Sequence, residues 1–181
     1  MAKPKVATTS LAGCFGCHMS ILDIDDRILK LAELVDFHKS PINDIKTFSE
    51  HCLVGLVEGG CCNEENVDVL RAFRKNCDVL IAVGDCAIMG GIPAMRNTIP
   101  LQECLEEAYL KAPTTYNPSG KVPNDSEIPL LLDKVYPAPA VVKFDYYLPG
   151  CPPPADTIWE ALVALLNNKP IELPYQLVKY D

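Results

Sequence analysis

The sequence has no long hydrophobic run. Its longest apolar stretches, such as VLIAV and ALVALL, fall far short of the roughly 20 residues a membrane span requires, so no membrane span is expected. Positive charge is also scarce: 16 Lys and Arg stand against 24 Asp and Glu, for a net charge of -8. Nucleic acid selects basic surfaces, so that class of partner is disfavoured, and a protein partner or a small redox cofactor is expected instead. The opening residues MAKPK run straight into an apolar strand, without a hydrophobic signal region, a small-residue cleavage site or a twin-arginine pair, and the expectation is a cytoplasmic protein. Internal repeats and low-complexity tracts are lacking as well.

Cysteine, by contrast, is abundant. Nine cysteines, an odd number, in a reducing compartment argue for thiolate chemistry or metal ligation over a disulfide framework. At 181 residues the chain fits one domain, 1–181, with a core of its own, because a chain near this size buries roughly 70% of its unfolded surface.

Short apolar runs alternate with helical patterns, the signature of a parallel sheet with crossover helices. Val6 to Ser10 reads as the first strand. Ile21, Ile24, Ile28, Leu31 and Val35 then recur at three- and four-residue spacing, which places them on one helical face, and Ser20 with Asp23 resembles a capping box. A weaker strand follows near Val35 to His38. Leu53 to Val57 is almost wholly apolar, as expected of a central strand covered on both faces. Asn63 can cap a helix with Glu64 and Glu65 in its first turn and Val67, Leu70 and Phe73 inward. Asp78 to Val83 is the next strand. Further helices are predicted over Leu101 to Lys111 and Pro154 to Asn167, the latter with Ile158, Trp159, Leu162 and Leu165 inward. The expected fold is α/β: a flavodoxin-like three-layer domain with a central parallel sheet and helices on both faces. The proline-rich stretch 112–140 breaks the rhythm and reads as a long loop, functional or partner-bound, and the tail 171–181 is similar.

Six cysteines follow strand-like runs that end at or next to a glycine. Cys14 and Cys17 come after VATTSLAG, Cys61 and Cys62 after LVGLVEGG, Cys86 after VLIAVGD and Cys151 after YYLPG. Carboxyl ends of parallel strands lie on one edge, where open α/β folds build their sites, so these cysteines should converge on one metal or cluster. Thiolates are soft ligands that suit an iron-sulfur cluster or zinc. The single, widely separated Cys86 and Cys151 fit a cluster better than the two local pairs of a structural zinc site, while a thioredoxin-like CxxC needs no further cysteines. A cubane cluster takes four ligands, and spacing does not choose four from six. Cys52, Cys77 and Cys104 sit in apolar or helical settings and read as core.

Glu58 ends the apolar strand Leu53 to Val57 and precedes two glycines at the same edge. A carboxylate there is costly to bury unless it is hydrogen-bonded or transfers protons. Asp85 is a similar candidate. His18, beside the CxxC, could bond to a cluster, carry a proton or be structural; His38 and His51 have less support.

AGCFGCH, VEGG, VGDCA and LPGCPPP together resemble the small subunit of nickel-iron hydrogenases. Compact length and the lack of a cysteine-rich second half resemble in particular the cytoplasmic, bidirectional NAD-reducing members. The related cluster subunit of respiratory complex I shares the early CxxC and the LPGCPPP segment. This resemblance implies an oxidoreductase subunit with one proximal four-iron four-sulfur cluster on Cys14, Cys17, Cys86 and Cys151. The large subunit would hold the nickel-iron site and do the hydrogen chemistry. Diaphorase subunits would hold further clusters, FMN and the NAD site, completing the reaction of H2 with NAD+. By the same resemblance Glu58 would join the proton path; Cys61 and Cys62 depart from the family pattern by adding thiolates beside the site, which makes ligand exchange during redox change conceivable. In flavodoxins the first strand-to-helix loop is hydroxyl-rich and cradles phosphate. Here that loop carries GCFGC, so a cluster is expected in this chain and FMN is not.

Overall fold

A computed structural model of the chain describes residues 3–178. Five strands form one parallel sheet: β1 (Lys5–Ser10), β2 (Asp36–Phe37), β3 (Cys52–Glu58), β5 (Cys77–Val83) and β7 (Tyr146–Leu148), in the order β2-β1-β3-β5-β7. Counting only these strands, the order is 2-1-3-4-5, the flavodoxin-like doubly wound arrangement. The most apolar strand, β3, is central, with both neighbours registered along it: Thr9 opposes Val57 and Val57 opposes Ala82.

Alternation along the strands divides the core in two. Val6, Val54, Leu56, Ile81 and Val83 face helices α1 (Gly16–Leu22), α2 (Arg27–Leu34) and α6 (Ala155–Leu166), against Ile21, Leu31, Ile158 and Leu162. Ala7, Val57, Leu80 and Ala82 face α3 (Glu64–Asn76) and α4 (Asp85–Met89), against Leu70, Phe73 and Ala87. This is the expected three-layer fold. The expected cap on α3 is present, with the Asn66 backbone N–H donating to the Asn63 side chain at 2.8 Å.

Several local expectations need correction. The apolar face from Ile21 to Val35 is buried, but it spans two helices, because Asp25 takes a left-handed conformation (φ 56°) between α1 and α2. Ser20 lies inside α1 and caps nothing; its hydroxyl donates to the Pro153 carbonyl at 2.5 Å. Cys52 and Cys77 are core, whereas Cys104 is only half-buried in α5 (Leu101–Glu106), which continues as a π-turn over Glu107–Lys111. The proline-rich stretch is not structureless throughout. It contains β6 (Leu131–Tyr136), which pairs antiparallel with β4 (Cys61–Asn63) in a separate two-stranded ribbon. Asn97 supports this ribbon by accepting from the Val135 N–H at 2.7 Å and donating to its carbonyl at 2.8 Å, as a neighbouring strand would. In the tail, the Thr157 hydroxyl donates to the Leu177 carbonyl at 2.6 Å, and residues 179–181 lie outside the described residues.

Candidate metal centre

Four loops meet at the carboxyl edge of the sheet. The segment after β1 carries Cys14 in its loop and Cys17 in the first turn of α1, that after β3 follows Glu58, that after β5 opens α4 with Asp85 and Cys86, and the loop after β7 carries Cys151. Together these residues line a cavity of about 60 Å³. Of the six candidate cysteines, Cys61 and Cys62 lie apart. Cys61 is fully buried in the apolar layer beside α3, and the Cys62 thiol points to the Asn66 side-chain oxygen at 3.4 Å.

Backbone contacts clasp the loops together. Ala12 and Gly60 exchange N–H donors at 2.9 and 2.7 Å, joining the loops after β1 and β3. Asp85 joins those after β5 and β7: its side chain accepts from the Gly150 N–H at 3.0 Å, and its own N–H donates to the Gly150 carbonyl at 3.0 Å. The Ser20 bond to Pro153 ties the Cys151 segment to α1 from the other side. Gly84 carries a positive φ of 82°, and a side-chain carbon there would collide with the Cys17 sulfur, so no larger residue fits between β5 and the thiol.

The electrostatics are one-sided. Burial pushes the Cys17 and Cys86 thiols up, with the Glu58 carboxylate adding to the rise at Cys17 and neighbouring thiols contributing to both. No Lys or Arg lines the cavity among the described residues. Gathered thiolates here therefore call for a bound cation or metal group.

Residues 14–165 match the family described as NADH ubiquinone oxidoreductase, 20 Kd subunit. The chain belongs to that family. Within it, the delta subunit of the NAD-reducing hydrogenase HoxS from Cupriavidus necator is 49% identical over 181 residues, covering 99% of this chain and 86% of that protein. A subunit of the F420-non-reducing hydrogenase from Methanothermobacter thermautotrophicus is 39% identical over 174 residues, and the match spans 95% of this chain and 56% of that protein. A chain of an NAD+-reducing nickel-iron hydrogenase, solved in the H2-reduced state, superposes with a TM-score of 0.95 at 50% identity over 99% of both chains. A nickel-iron-selenium hydrogenase from Desulfovibrio vulgaris Hildenborough, at 19% identity and a TM-score of 0.54, shares the fold.

In this family member the acid predicted at the sheet edge is built in by its neighbours. Glu58 is 3% exposed. Burial, the largest single influence, would raise its carboxyl, but the His18 and Ser10 side chains outweigh that and hold it below the usual range. The His18 N–H donates to Glu58 Oε2 at 3.0 Å, and the ring Nδ1 stands 3.1 Å from Oε1. Phe15 stacks on the His18 ring at 4.5 Å between centroids and itself takes a left-handed φ of 67°, a strained state for a bulky residue that the packed loop maintains. The sequence marks Ser20 only as a cap, whereas Asp85, a candidate of the same kind as Glu58, takes the hydrogen-bonded alternative by accepting from the Gly150 N–H. Their role as loop ties is a tertiary one, across gaps of 133 and 65 residues, with no local signature.

Proposed function

We propose that this chain is the electron-transfer small subunit of a cytoplasmic NAD-reducing nickel-iron hydrogenase, holding one four-iron four-sulfur cluster on Cys14, Cys17, Cys86 and Cys151. The observation that carries the reading is the convergence of those four thiols, from three strand-end segments, on one cavity in a chain 49% identical to a subunit of such an enzyme. The donor set suits iron-sulfur ligation. The cavity of about 60 Å³ is several times the roughly 10–15 Å³ that one water-sized body occupies. A tetrahedral zinc site would draw four sulfurs to about 3.8 Å of one another, given zinc-sulfur bonds near 2.3 Å. The thiols surround a space, which favours a cluster over a single ion.

When bound, the cluster supplies reversible one-electron transfer. The chain's own residues hold and shield it: Asp85 and Ser20 fix the Cys151 loop, Gly84 lets β5 approach Cys17, and Phe15 covers one wall. Glu58 offers a buried carboxyl beside Cys17 for proton transfer. Met89, Ile92 and Met95 follow Cys86 closely and are 58%, 69% and 67% exposed, an apolar face of the kind that marks a protein interface. We assign it to a large subunit whose nickel-iron site carries out the hydrogen chemistry. Diaphorase subunits with further clusters, FMN and NAD complete the reaction of H2 with NAD+, and FMN is not assigned to this chain. The 39% identity to a different class of hydrogenase subunit favours one second reading, service in another hydrogenase, and the subunits that copurify distinguish the two. Cys151→Ser should abolish hydrogen-dependent NAD reduction while diaphorase activity with artificial donors survives. Retained hydrogen-linked turnover refutes the proposal.

A further inference from the structure

Behind the cysteine cavity runs a row of buried polar side chains that cluster binding does not use. Glu58 is 3% exposed, His18 1%, Thr8 1% and Ser40 2%. His18 Nε2 lies 2.9 Å from Thr8 Oγ1, which lies 2.8 Å from Ser40 Oγ, and Ser40 accepts from the Ile42 N–H at 3.2 Å. One proton assignment gives each link a donor: Ile42 N–H to Ser40, Ser40 O–H to Thr8, Thr8 O–H to His18 Nε2, and His18 Nδ1–H toward Glu58. The ring is pinned at Nε2 by Thr8 and across its face by Phe15. On the carboxyl side Nδ1 meets Oε1 obliquely, with no aligned hydrogen bond to either atom among the described residues, while the His18 backbone N–H holds Oε2. One residue thus touches both oxygens of the carboxyl that borders the thiols.

We infer that His18 is a positioning residue: its backbone N–H on Oε2 and its ring Nδ1 beside Oε1 set the plane of the Glu58 carboxyl at the cavity wall. The inference deepens the reading of Glu58 as the proton-transferring acid and rests on it. Proton transfer requires heavy-atom separations of about 2.6–3.2 Å, and a carboxyl free to rotate inside its pocket would hold that distance only part of the time. A packed apolar wall could have filled this space, yet four polar side chains occupy it in series.

Two substitutions separate the ring's nitrogens. His18→Asn keeps a nitrogen near the Nδ1 position and loses the one facing Thr8; His18→Gln keeps a nitrogen near Nε2 and loses the one facing Glu58. The assembled enzyme, labelled with carbon-13 glutamate, is compared by infrared difference with Glu58→Gln to find the Glu58 carboxyl band, and its hydrogen-deuterium exchange is measured. His18→Asn should leave the band in place and exchange close to wild type. His18→Gln should shift the band and lower exchange about as far as Glu58→Gln, on the order of 100-fold for a positioned proton-transfer group. A band that shifts in both variants, or in neither, overturns the proposal. Exchange unchanged in Glu58→Gln refutes the proton role of Glu58, and the band still decides the role of His18. Should His18→Gln lose its cluster, His18→Leu, which keeps bulk at the site without either ring nitrogen, tests the same contact: a shifted band supports it and an unmoved band overturns it.

Discussion

Replacing Gly84 with alanine should damage the site through two separable effects. The residue sits at φ 82° and ψ 161°, a backbone region essentially restricted to glycine, where another residue costs about 1–3 kcal/mol. The new methyl would also meet the Cys17 sulfur well inside contact distance and the Gly150 carbonyl at 3.4 Å. Forcing a carbon into packed space costs roughly another 1–3 kcal/mol. The sum is about 4 kcal/mol, equivalent to a Tm lower by roughly 12 °C in a domain of this size. Gly120→Ala is the control, since Gly120 has a positive φ of 60° with nothing within 4 Å of its added carbon; it should cost only about 1–2 kcal/mol. Heating the assembled enzyme while following the visible absorbance of the cluster compares the two, with iron content measured beforehand. Gly84→Ala should melt earlier and carry less iron, because Cys17 is displaced. Full iron content and a transition matching that of Gly120→Ala would refute the reasoning.

At the opposite end of the sheet, Arg74 donates to the Cys77 and Asp78 carbonyls at 2.7 Å each and to Asp145 Oδ2 at 2.6 Å. Arg74→Ala should therefore lower stability by about 2 kcal/mol in urea titrations at neutral pH, a figure reduced for partial exposure. Burial is the largest influence on the Asp145 carboxyl and would raise it, but Arg74 and the Leu80 N–H outweigh that and hold it below its usual 3.8. A depressed carboxyl stabilises the fold above its unfolded value and ceases to do so as pH falls through the folded one. The deficit of Arg74→Ala should accordingly shrink below about pH 4. Cys61→Ser places a hydroxyl in an apolar layer and should cost about 1–3 kcal/mol while leaving iron content unchanged, as iron assays would show.

The sheet was readable because, β2 apart, its strands are short and apolar and lead to glycine, and the capped helix α3 because its signals are local: Asn63, two glutamates, then apolar residues at helical spacing. The convergence of cysteines was readable from topology, since parallel strands share one carboxyl edge. What escaped were features fixed by tertiary contact. The break at Asp25 leaves the apolar period uninterrupted across two helices, so periodicity alone reads one. Strand β6 lies among prolines, and its partner β4 is only three residues long. Cys61 follows a glycine as Cys86 follows Gly84 and Asp85, and only the ribbon pairing turns Cys61 into the apolar layer. His18 was visible as a candidate, but its neighbours Thr8 and Ser40 come from β1 and the loop after β2, with no shared motif.

The most direct test is anaerobic quantification of iron, acid-labile sulfide and zinc in this chain, with electron paramagnetic resonance after reduction. About four irons and four sulfides per chain, with a single reduced-cluster signal, is the expected result. Stoichiometric zinc without sulfide would contradict an electron-transfer role and leave the four cysteines as a structural metal site.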